Sequence, residues 1–208
     1  SYKFKGPECN LANYEYVETI SDFKVDQKIT DFINLISKKY RINPSLLASL
    51  VAQESSFNSK AVSISRAVGL TQVTPIASID IRSKKNEWKS YPNSEKLSYL
   101  NLKYKIFRGV INKNNDWRLD KFKSLEGGAV FLRQLSDYWE TEKNQKLLNK
   151  QFKNIPKTDI ILASYNSGAH RVKRNIRKHS TEWIWSRELN EARKYVMNIK
   201  SYCHKFRE

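Results

Sequence analysis

A mainly α protein built around one hydrophobic core is predicted by two features of this sequence. Several segments place apolar residues three and four positions apart, which is the spacing of an amphipathic helix. The chain of 208 residues contains no repeat, no low-complexity tract and no convincing linker. A chain of this length can bury a sizeable core. The sequence therefore predicts a mainly helical single domain over residues 1–208.

Two helices and a loop are predicted in the first third of the chain. Apolar residues recur at helical spacing within 26–39 and predict an amphipathic helix there. Asn43 followed by Pro44 predicts the start of the next helix, because Asn caps a helix and Pro suits its first turn. We expect this second helix to end near Phe57. The small and polar residues of 58–75 predict a loop or a short hairpin-like segment.

A helix with a buried apolar stripe is predicted in the middle of the chain. Its apolar residues are spaced by three and four positions, which is typical of one face of an amphipathic helix. The residues of this stripe are Leu97, Leu100, Tyr104, Phe107 and Ile111. Because such a stripe is disfavoured in water, we expect it to pack against the rest of the protein.

Three more helices are predicted within residues 125–208. The first begins near Leu125 and continues past Trp139. The second is a short apolar helix that begins at Pro156 and ends at Gly168, in the position expected of a C-terminal cap. Ser180 or Thr181 is predicted to cap a long last helix that carries Trp185, Leu189, Ala192, Val196 and Ile199.

The second predicted helix contains one carboxylate in apolar surroundings. The stretch SLLASLVAQESSFN, residues 45–58, contains Glu54, and no basic residue lies between Arg41 and Lys60. A carboxylate among Leu and Val side chains loses hydration, so its pKa rises and it can donate a proton near neutral pH. The helix by itself leaves open a second interpretation, in which Glu54 is exposed at the helix end or accepts a hydrogen bond from a backbone amide.

The charge of the chain predicts an anionic partner or a solvated basic surface. Lys and Arg number 38 against 21 Asp and Glu, a formal net charge of +17. Residues 82–124 contain 12 of the basic and 4 of the acidic residues, interleaved with aromatic side chains that would suit a single-stranded nucleic acid. No RNP, KH or helix-turn-helix signature accompanies them, so we do not expect nucleic acid as a partner.

The two cysteines and the ends of the chain bear on its compartment. Cys9 and Cys203 either form a disulfide, if the protein is exported, or are two unrelated thiols. No Cys-x-x-Cys pair or Cys/His cluster predicts a metal site, and no apolar run is long enough for a transmembrane helix. The first residues, SYKFKGPECN, contain no initiating Met and no apolar signal core. A removed signal peptide and a trimmed chain both account for that.

Four short motifs occur in an order that resembles the soluble lytic transglycosylase family, relatives of goose-type lysozyme that cleave peptidoglycan. Individually they are moderately specific, and their order makes the resemblance strong. The motifs are Glu54-Ser55, GLTQVTP at 69–75, SYNSG at 164–168, and Glu191-Ala192 with Tyr195-Val196. LEGGAVFLRQL at 125–135 also resembles a family helix. The resemblance implies a lysozyme-like core formed by 26–75 and 125–200. It leaves 1–25 as an N-terminal extension and 76–124 as a helical basic insertion, which we expect to favour anionic glycan strands.

The resemblance implies a role for each matching residue. Glu54 matches the sole catalytic acid of the family, and Tyr165 matches a tyrosine whose hydroxyl reaches toward that acid. Ser63 and Gln72 match polar groups that line the sugar groove. The remaining matches either shape the site or hold the motifs together by packing and hydrogen bonding, and these are Asn166, Glu191 and Tyr195. The chain departs from the family at Thr71 and Thr74, where Met is usual, and these smaller side chains are expected to alter a sugar subsite.

The resemblance also implies a reaction. One Glu acts first as acid and then as base on the β-1,4 bond between N-acetylmuramic acid and N-acetylglucosamine, and a 1,6-anhydro end results without consumption of water. The next acid along the chain after Glu54 is Asp80. One alternative is hydrolysis of the same bond by a goose-type lysozyme, which would need a second carboxylate from Asp80 or Glu87. The other is a non-catalytic basic module that binds the cell wall or a nucleic acid. We expect no metal and no cofactor. We also expect a monomer, with peptidoglycan glycan strands as its partner, exported to the periplasm, the cell envelope or the medium.

Overall fold

The fold is a bundle of nine α-helices, α1–α9, within residues 1–207, the part of the chain that the structure, a computed structural model, describes. Within those residues, the β-structure is limited to isolated bridges at 62–73. The prediction of a mainly α protein is confirmed. The helices are α1 Gln27–Tyr40, α2 Pro44–Ser55, α3 Pro75–Lys84, α4 Tyr99–Phe107, α5 Lys121–Glu140, α6 Glu142–Gln151, α7 Lys157–Ser167, α8 Ala169–His179 and α9 Asn190–Lys205.

The caps that the sequence predicts for α2 are present. The Asn43 side chain accepts a hydrogen bond from the backbone N–H of Ser45 at 3.0 Å, and Pro44 occupies the first turn. The helix ends at Ser55, slightly earlier than expected, because Ser56 and Phe57 have φ angles of 50° and 61°. Two consecutive residues in the left-handed region cannot continue a right-handed helix.

The α2 helix lies at the centre of the bundle. Its residues from Pro44 to Ala52 are all buried, and it packs against α1 and α9. A helix that is apolar on every side is typical of a buried position, and this one is surrounded rather than laid on a surface. The α5 and α7 helices complete the main core, so the C-terminal end of α2 is held on several sides.

The N-terminal extension is fastened along the helical core. Cys9 and Cys203 form a disulfide with a Cα–Cα distance of 6.1 Å, which confirms one of the two alternatives left open by the sequence. The Asn43 backbone N–H donates to the Leu11 carbonyl at 2.7 Å, just before α2 begins. The segment 1–25 is therefore attached both to the start of α2 and to the end of α9.

The insertion 76–124 contains α3, α4 and two 3₁₀ turns, and it forms two small apolar clusters with residues of the 62–73 loop and of α5. A buried ion pair organises its loops, because Arg118 Nε donates to Asp116 Oδ1 at 3.0 Å and both side chains are almost fully buried. The Asp116 carboxylate also accepts from the backbone N–H of Tyr91 at 3.2 Å and from the Ser94 hydroxyl at 3.3 Å. These bonds satisfy a charge that would otherwise be costly to bury.

The predicted burial of the α4 stripe is wrong for its three central residues. Leu100, Tyr104 and Phe107 are 73%, 62% and 81% exposed. Leu102 and Ile106, on the opposite face of the same helix, are buried instead. The helix has apolar residues on both faces, and the face that meets the 62–73 loop and the 3₁₀ turn Trp117–Leu119 is the one that packs.

The predicted long last helix is also wrong at its beginning. Two 3₁₀ turns, Ser180–Trp185 and Arg187–Leu189, precede α9, which begins at Asn190. The break lies at Ser186, whose ψ of 142° is extended rather than helical. Trp185, expected on the buried face, is half exposed as a result. The α6 and α8 helices were not predicted, because few apolar residues mark their inner faces.

Candidate active site

Glu54 lies at the C-terminal end of α2, facing α9. It is the last residue but one of the helix, and its side chain is largely buried. The Tyr195 hydroxyl on α9 donates a hydrogen bond of 2.6 Å to Glu54 Oε1. Tyr195 is itself buried, which raises its pKa well above the ordinary value and keeps it protonated as a donor. One carboxyl oxygen is therefore held in place, and Oε2 is left as the oxygen that can exchange a proton with a substrate.

Burial raises the pKa of Glu54 from its ordinary value of 4.5 to about 7. The Tyr195 hydrogen bond opposes this by stabilising the carboxylate, and the negative charge of Glu191 adds to it. The position at a helix C-terminus, where carbonyl dipoles point outward, further disfavours a negative charge. The rise that the apolar helix predicted is confirmed, and Glu54 changes protonation state near neutral pH.

The second motif is held against the first and third by hydrogen bonds to its carbonyl groups. The Ser55 hydroxyl donates to the Leu70 carbonyl at 2.8 Å, and the Tyr165 hydroxyl donates to the Thr71 carbonyl at 2.7 Å. The Tyr165 hydroxyl also lies close enough to Glu54 for that carboxylate to raise the pKa of Tyr165, as expected, while its own hydrogen bond goes to the loop. Tyr195 is the tyrosine that contacts Glu54, and Tyr165 fixes the neighbouring loop.

The Gln72 side chain stabilises the same loop through hydrogen bonds to its backbone. It is buried with a φ of 49°, and its Nε2 donates to the carbonyl groups of Gly69 at 3.0 Å and Ala61 at 3.1 Å. Ser63 lies in the turn at the far end of the loop, where its hydroxyl bonds that of Ser65 at 2.8 Å. The hydrogen bonds of both side chains are with the loop itself.

Thr71 and Thr74 have structural positions that the sequence comparison did not anticipate. Thr71 is fully buried, and its Oγ1 donates to the Ser124 carbonyl at 2.8 Å, so it cannot contact a sugar. Any effect of Thr71 on a sugar subsite would therefore act through the packing of the loop against α5. Thr74 is the N-cap of α3, where its hydroxyl accepts from the Ala77 N–H at 3.3 Å.

Glycines allow the motif to approach its neighbours closely. Gly69 has a φ of 86°, and a Cβ there would lie 2.0 Å from the Arg118 carbonyl oxygen. In α5, a Cβ on Gly128 would lie 2.5 Å from the Thr71 methyl group, and one on Gly127 would lie 2.3 Å from the Trp117 ring. Ser124, Gly127 and Gly128 were not predicted as site supports, although two adjacent glycines inside a helix signal a close approach.

Asn166 and Glu191 lie at helix ends around the site. Asn166 is half-buried near the end of α7 and accepts from the Ser167 hydroxyl at 2.9 Å. Glu191 is exposed in the first turn of α9, one turn before Tyr195. The structure thus brings Tyr195, Tyr165 and Glu191 within electrostatic reach of Glu54. The hydrogen bond of Asn166 is to its own neighbour.

The alternative second carboxylates are placed differently. Asp80, on α3, and Glu87, in the loop after it, are both exposed, and neither contributes to the pKa shift of Glu54. The carboxylate that does contribute is Glu191. Over residues 1–207, no group of three or more His, Cys, Asp and Glu side chains is arranged to hold a metal ion. In that same part of the chain, no helix is both long and apolar enough to span a bilayer.

The sequence profile described as "Transglycosylase SLT domain" matches residues 31–187 of this chain. The chain belongs to the SLT transglycosylase family. The matched span includes 76–124, which the motif comparison had placed outside the resemblance.

Curated relatives and a solved structure agree with this assignment. The chain is 39% identical over 200 residues to the membrane-bound lytic murein transglycosylase E of Buchnera aphidicola subsp. Baizongia pistaciae, covering 94% of this chain and 76% of that protein. It is 29% identical over 143 residues to the membrane-bound lytic murein transglycosylase C of Glaesserella parasuis, covering 68% of this chain and 31% of the relative. An inactive mutant of the lytic transglycosylase Slt from Pseudomonas aeruginosa shares the fold, with a TM-score of 0.56 at 19% identity over 85% of this chain and 23% of that one.

Proposed function

We propose that this SLT domain is a peptidoglycan lytic transglycosylase, which cleaves the bond between N-acetylmuramic acid and N-acetylglucosamine and leaves a 1,6-anhydro end. The observation that carries the proposal is Glu54, a carboxyl group with a pKa of about 7 whose Oε1 is held by Tyr195. A group that is half protonated near neutral pH serves as an acid and as a base. The curated relatives are named as lytic murein transglycosylases, which supports peptidoglycan as the proposed substrate.

The first step uses the protonated form of Glu54. The proton on Oε2 passes to the glycosidic oxygen while the bond from that oxygen to C1 of N-acetylmuramic acid breaks. N-acetylglucosamine leaves with the proton, and positive charge develops at C1. Because Tyr195 holds Oε1, the carboxyl group does not need to reorient during this transfer.

The second step uses the carboxylate that the first step leaves. Glu54 takes the proton from the C6 hydroxyl of the same N-acetylmuramic acid, and the freed oxygen attacks C1 to close the 1,6-anhydro ring. Glu54 is then protonated again, so the reaction consumes no water, and neither step requires a metal or an organic cofactor. An internal hydroxyl takes the place of the positioned water and of the second carboxylate that activates it.

The other site residues would shape the groove around Glu54. Ser63 and Gln72, from the 58–75 loop, would line the sugar subsites, while Tyr165 and Asn166 would hold the opposite wall on α7. We place the reaction in the cell envelope as a further part of the proposal, because both curated relatives are named as membrane-bound. Glycan strands are the proposed partner, and the unit that acts on them is proposed to be a monomer.

The products test the proposal directly. Purified peptidoglycan digested with the protein should yield muropeptides with 1,6-anhydro ends, which mass spectrometry detects because they are lighter by one water than hydrolytic products. A predominance of reducing ends would contradict the proposal and indicate a goose-type lysozyme. The exposed positions of Asp80 and Glu87 do not favour that result. In that event Glu191 would be tested first as the second carboxylate.

Replacing Glu191 should change the pH dependence of the reaction. The negative charge of Glu191 raises the pKa of Glu54, so Glu191→Gln should lower that pKa. The first step needs protonated Glu54, and the fall in rate on the alkaline side should therefore move to lower pH. Rates measured on peptidoglycan across a pH series would show this, with Glu87→Gln as the matched control. An unchanged pH dependence of the rate in Glu191→Gln would show that Glu191 does not raise the pKa of Glu54.

A further inference from the structure

The α4 helix carries an apolar row in solvent that the proposed reaction does not use. Leu100, Tyr104 and Phe107 are spaced as i, i+4 and i+7 and therefore lie on one face of the helix. Val110, just after the helix, is 43% exposed. These four residues are called the α4 ridge here. Large apolar side chains scattered singly on a surface are ordinary, but a row of them along one helix face is a mark of an interaction site.

The α4 ridge cannot turn inward, because the opposite face of the helix is already packed. Leu102 and Ile106 are buried in a cluster with Val68 and Leu119. The hydroxyl of Ser98 caps the helix at its start by accepting from the Asn101 N–H, which fixes where the helix begins. The ridge is therefore a fixed, convex feature of the folded domain rather than a face that a small rotation would hide.

Positive charge surrounds the α4 ridge. Residues 96–115 contain five Lys and Arg and no Asp or Glu. Lys103 lies on one side of the ridge and Arg108 on the other, from the 100° step between helix residues. The acidic residues that flank this stretch turn inward, since Asp116 is buried in its ion pair and Glu95 is only partly exposed.

A second exposed apolar side chain lies beside the segment that leads into α4. Arg66 donates from Nη1 to the Glu95 carbonyl at 2.9 Å and to the Leu97 carbonyl at 3.4 Å, which holds its turn against that segment. Ile64, two residues before Arg66, is among the most exposed large apolar residues of the described chain. Ile64 therefore belongs to a turn that is held against the segment leading into α4.

We propose that the α4 ridge docks this domain on the surface of an anionic lipid bilayer. Leu100, Tyr104 and Phe107 would enter the boundary between headgroups and acyl chains, while Lys103 and Arg108 would contact lipid phosphates. A nucleic acid or an anionic polymer would satisfy the cations but leave the apolar row in water. A bilayer surface accommodates both the cations and the apolar row.

The test compares the full chain with a double variant of the ridge. Leu100→Ser/Phe107→Ser changes two exposed side chains, so thermal unfolding followed by circular dichroism should match that of the original chain. Co-sedimentation with vesicles of phosphatidylglycerol and phosphatidylcholine should show binding by the original chain and a loss of at least about tenfold in the variant. Leu35→Ser, which removes a 64% exposed Leu from α1, is the matched control and should bind normally. Vesicles of phosphatidylcholine by itself should bind the original chain weakly.

Three results would overturn the proposal. The first is no binding of the original chain to the anionic vesicles. The second is equal binding by the ridge variant and the Leu35→Ser control, and the third is equal binding to anionic and neutral vesicles. The original chain could instead fail to bind vesicles and form a dimer in light scattering. If Phe107→Ser abolishes that dimer, the ridge binds a second copy of the chain. Cleavage of soluble glycan fragments should be the same in every variant, which keeps this test separate from that of Glu54.

Discussion

Glu54→Gln should lower the rate of peptidoglycan cleavage by roughly 10²–10⁴ while the fold stays intact. Gln has the shape of Glu and can still accept the Tyr195 hydrogen bond, but it cannot give or take the proton. The rate of release of 1,6-anhydro products from purified peptidoglycan measures the effect. Glu87→Gln, which changes an exposed carboxylate, is the control and should retain normal activity. Full activity in a folded Glu54→Gln protein would rule out the proposed mechanism.

The same substitution should change how stability depends on pH. The raised pKa means that folded Glu54 keeps its proton up to about pH 7, whereas the unfolded chain loses it near 4.5. The folded state is therefore favoured at low pH, and this contribution of about 3 kcal/mol is lost as pH rises from 4.5 through 7. The original chain should lose this contribution between pH 4 and pH 8, whereas Glu54→Gln should not. The stability of the variant minus that of the original chain should therefore be larger at pH 8 than at pH 4. Urea unfolding at the two pH values, with Glu87→Gln beside it, would show whether the difference is present.

Loss of the Cys9–Cys203 disulfide should destabilise the protein by roughly 4–5 kcal/mol. The bond joins residues separated by 194 positions, so its removal releases nearly the whole chain in the unfolded state. It also frees one attachment of the N-terminal extension, leaving hydrogen bonds such as that from Asn43 to the Leu11 carbonyl. Urea unfolding with and without reductant would measure the change.

A double variant makes the disulfide experiment specific. Cys9→Ala/Cys203→Ala should show the lower stability under both conditions and no further response to reductant. The intact mass after alkylation, with and without reduction, reports the pairing itself. Two freely alkylated thiols in protein taken from its native compartment would contradict the disulfide.

The helix boundaries near the site were largely predictable because the signals are local. Asn43 and Pro44 act on the first turn of α2, and Gly168, with a φ of 86°, ends α7 where the sequence placed the cap. The raised pKa of Glu54 was predictable for the same reason, since the apolar residues that bury it include those of its own helix. These effects depend on residues a few positions apart, so the sequence states them directly.

Other features depend on which surfaces meet. The α4 helix has apolar residues on two faces, and periodicity does not indicate which of them the rest of the protein covers. The break at Ser186 is similar, because Trp183 and Ile184 pack in 3₁₀ turns that a continuous helix would not allow. In both cases the local pattern suits two arrangements, and packing against distant elements selects one.

The sequence by itself determined the family, the mainly helical fold and the identity of the proposed acid, because these are encoded in motif order and in short-range periodicity. Only the tertiary structure decided that Tyr195 rather than Tyr165 bonds Glu54, since that hydrogen bond joins residues 141 positions apart. It also assigned Thr71 to the interior and left the α4 ridge in solvent. Each of these outcomes is set by which elements come into contact when the chain folds, and no local pattern reports that.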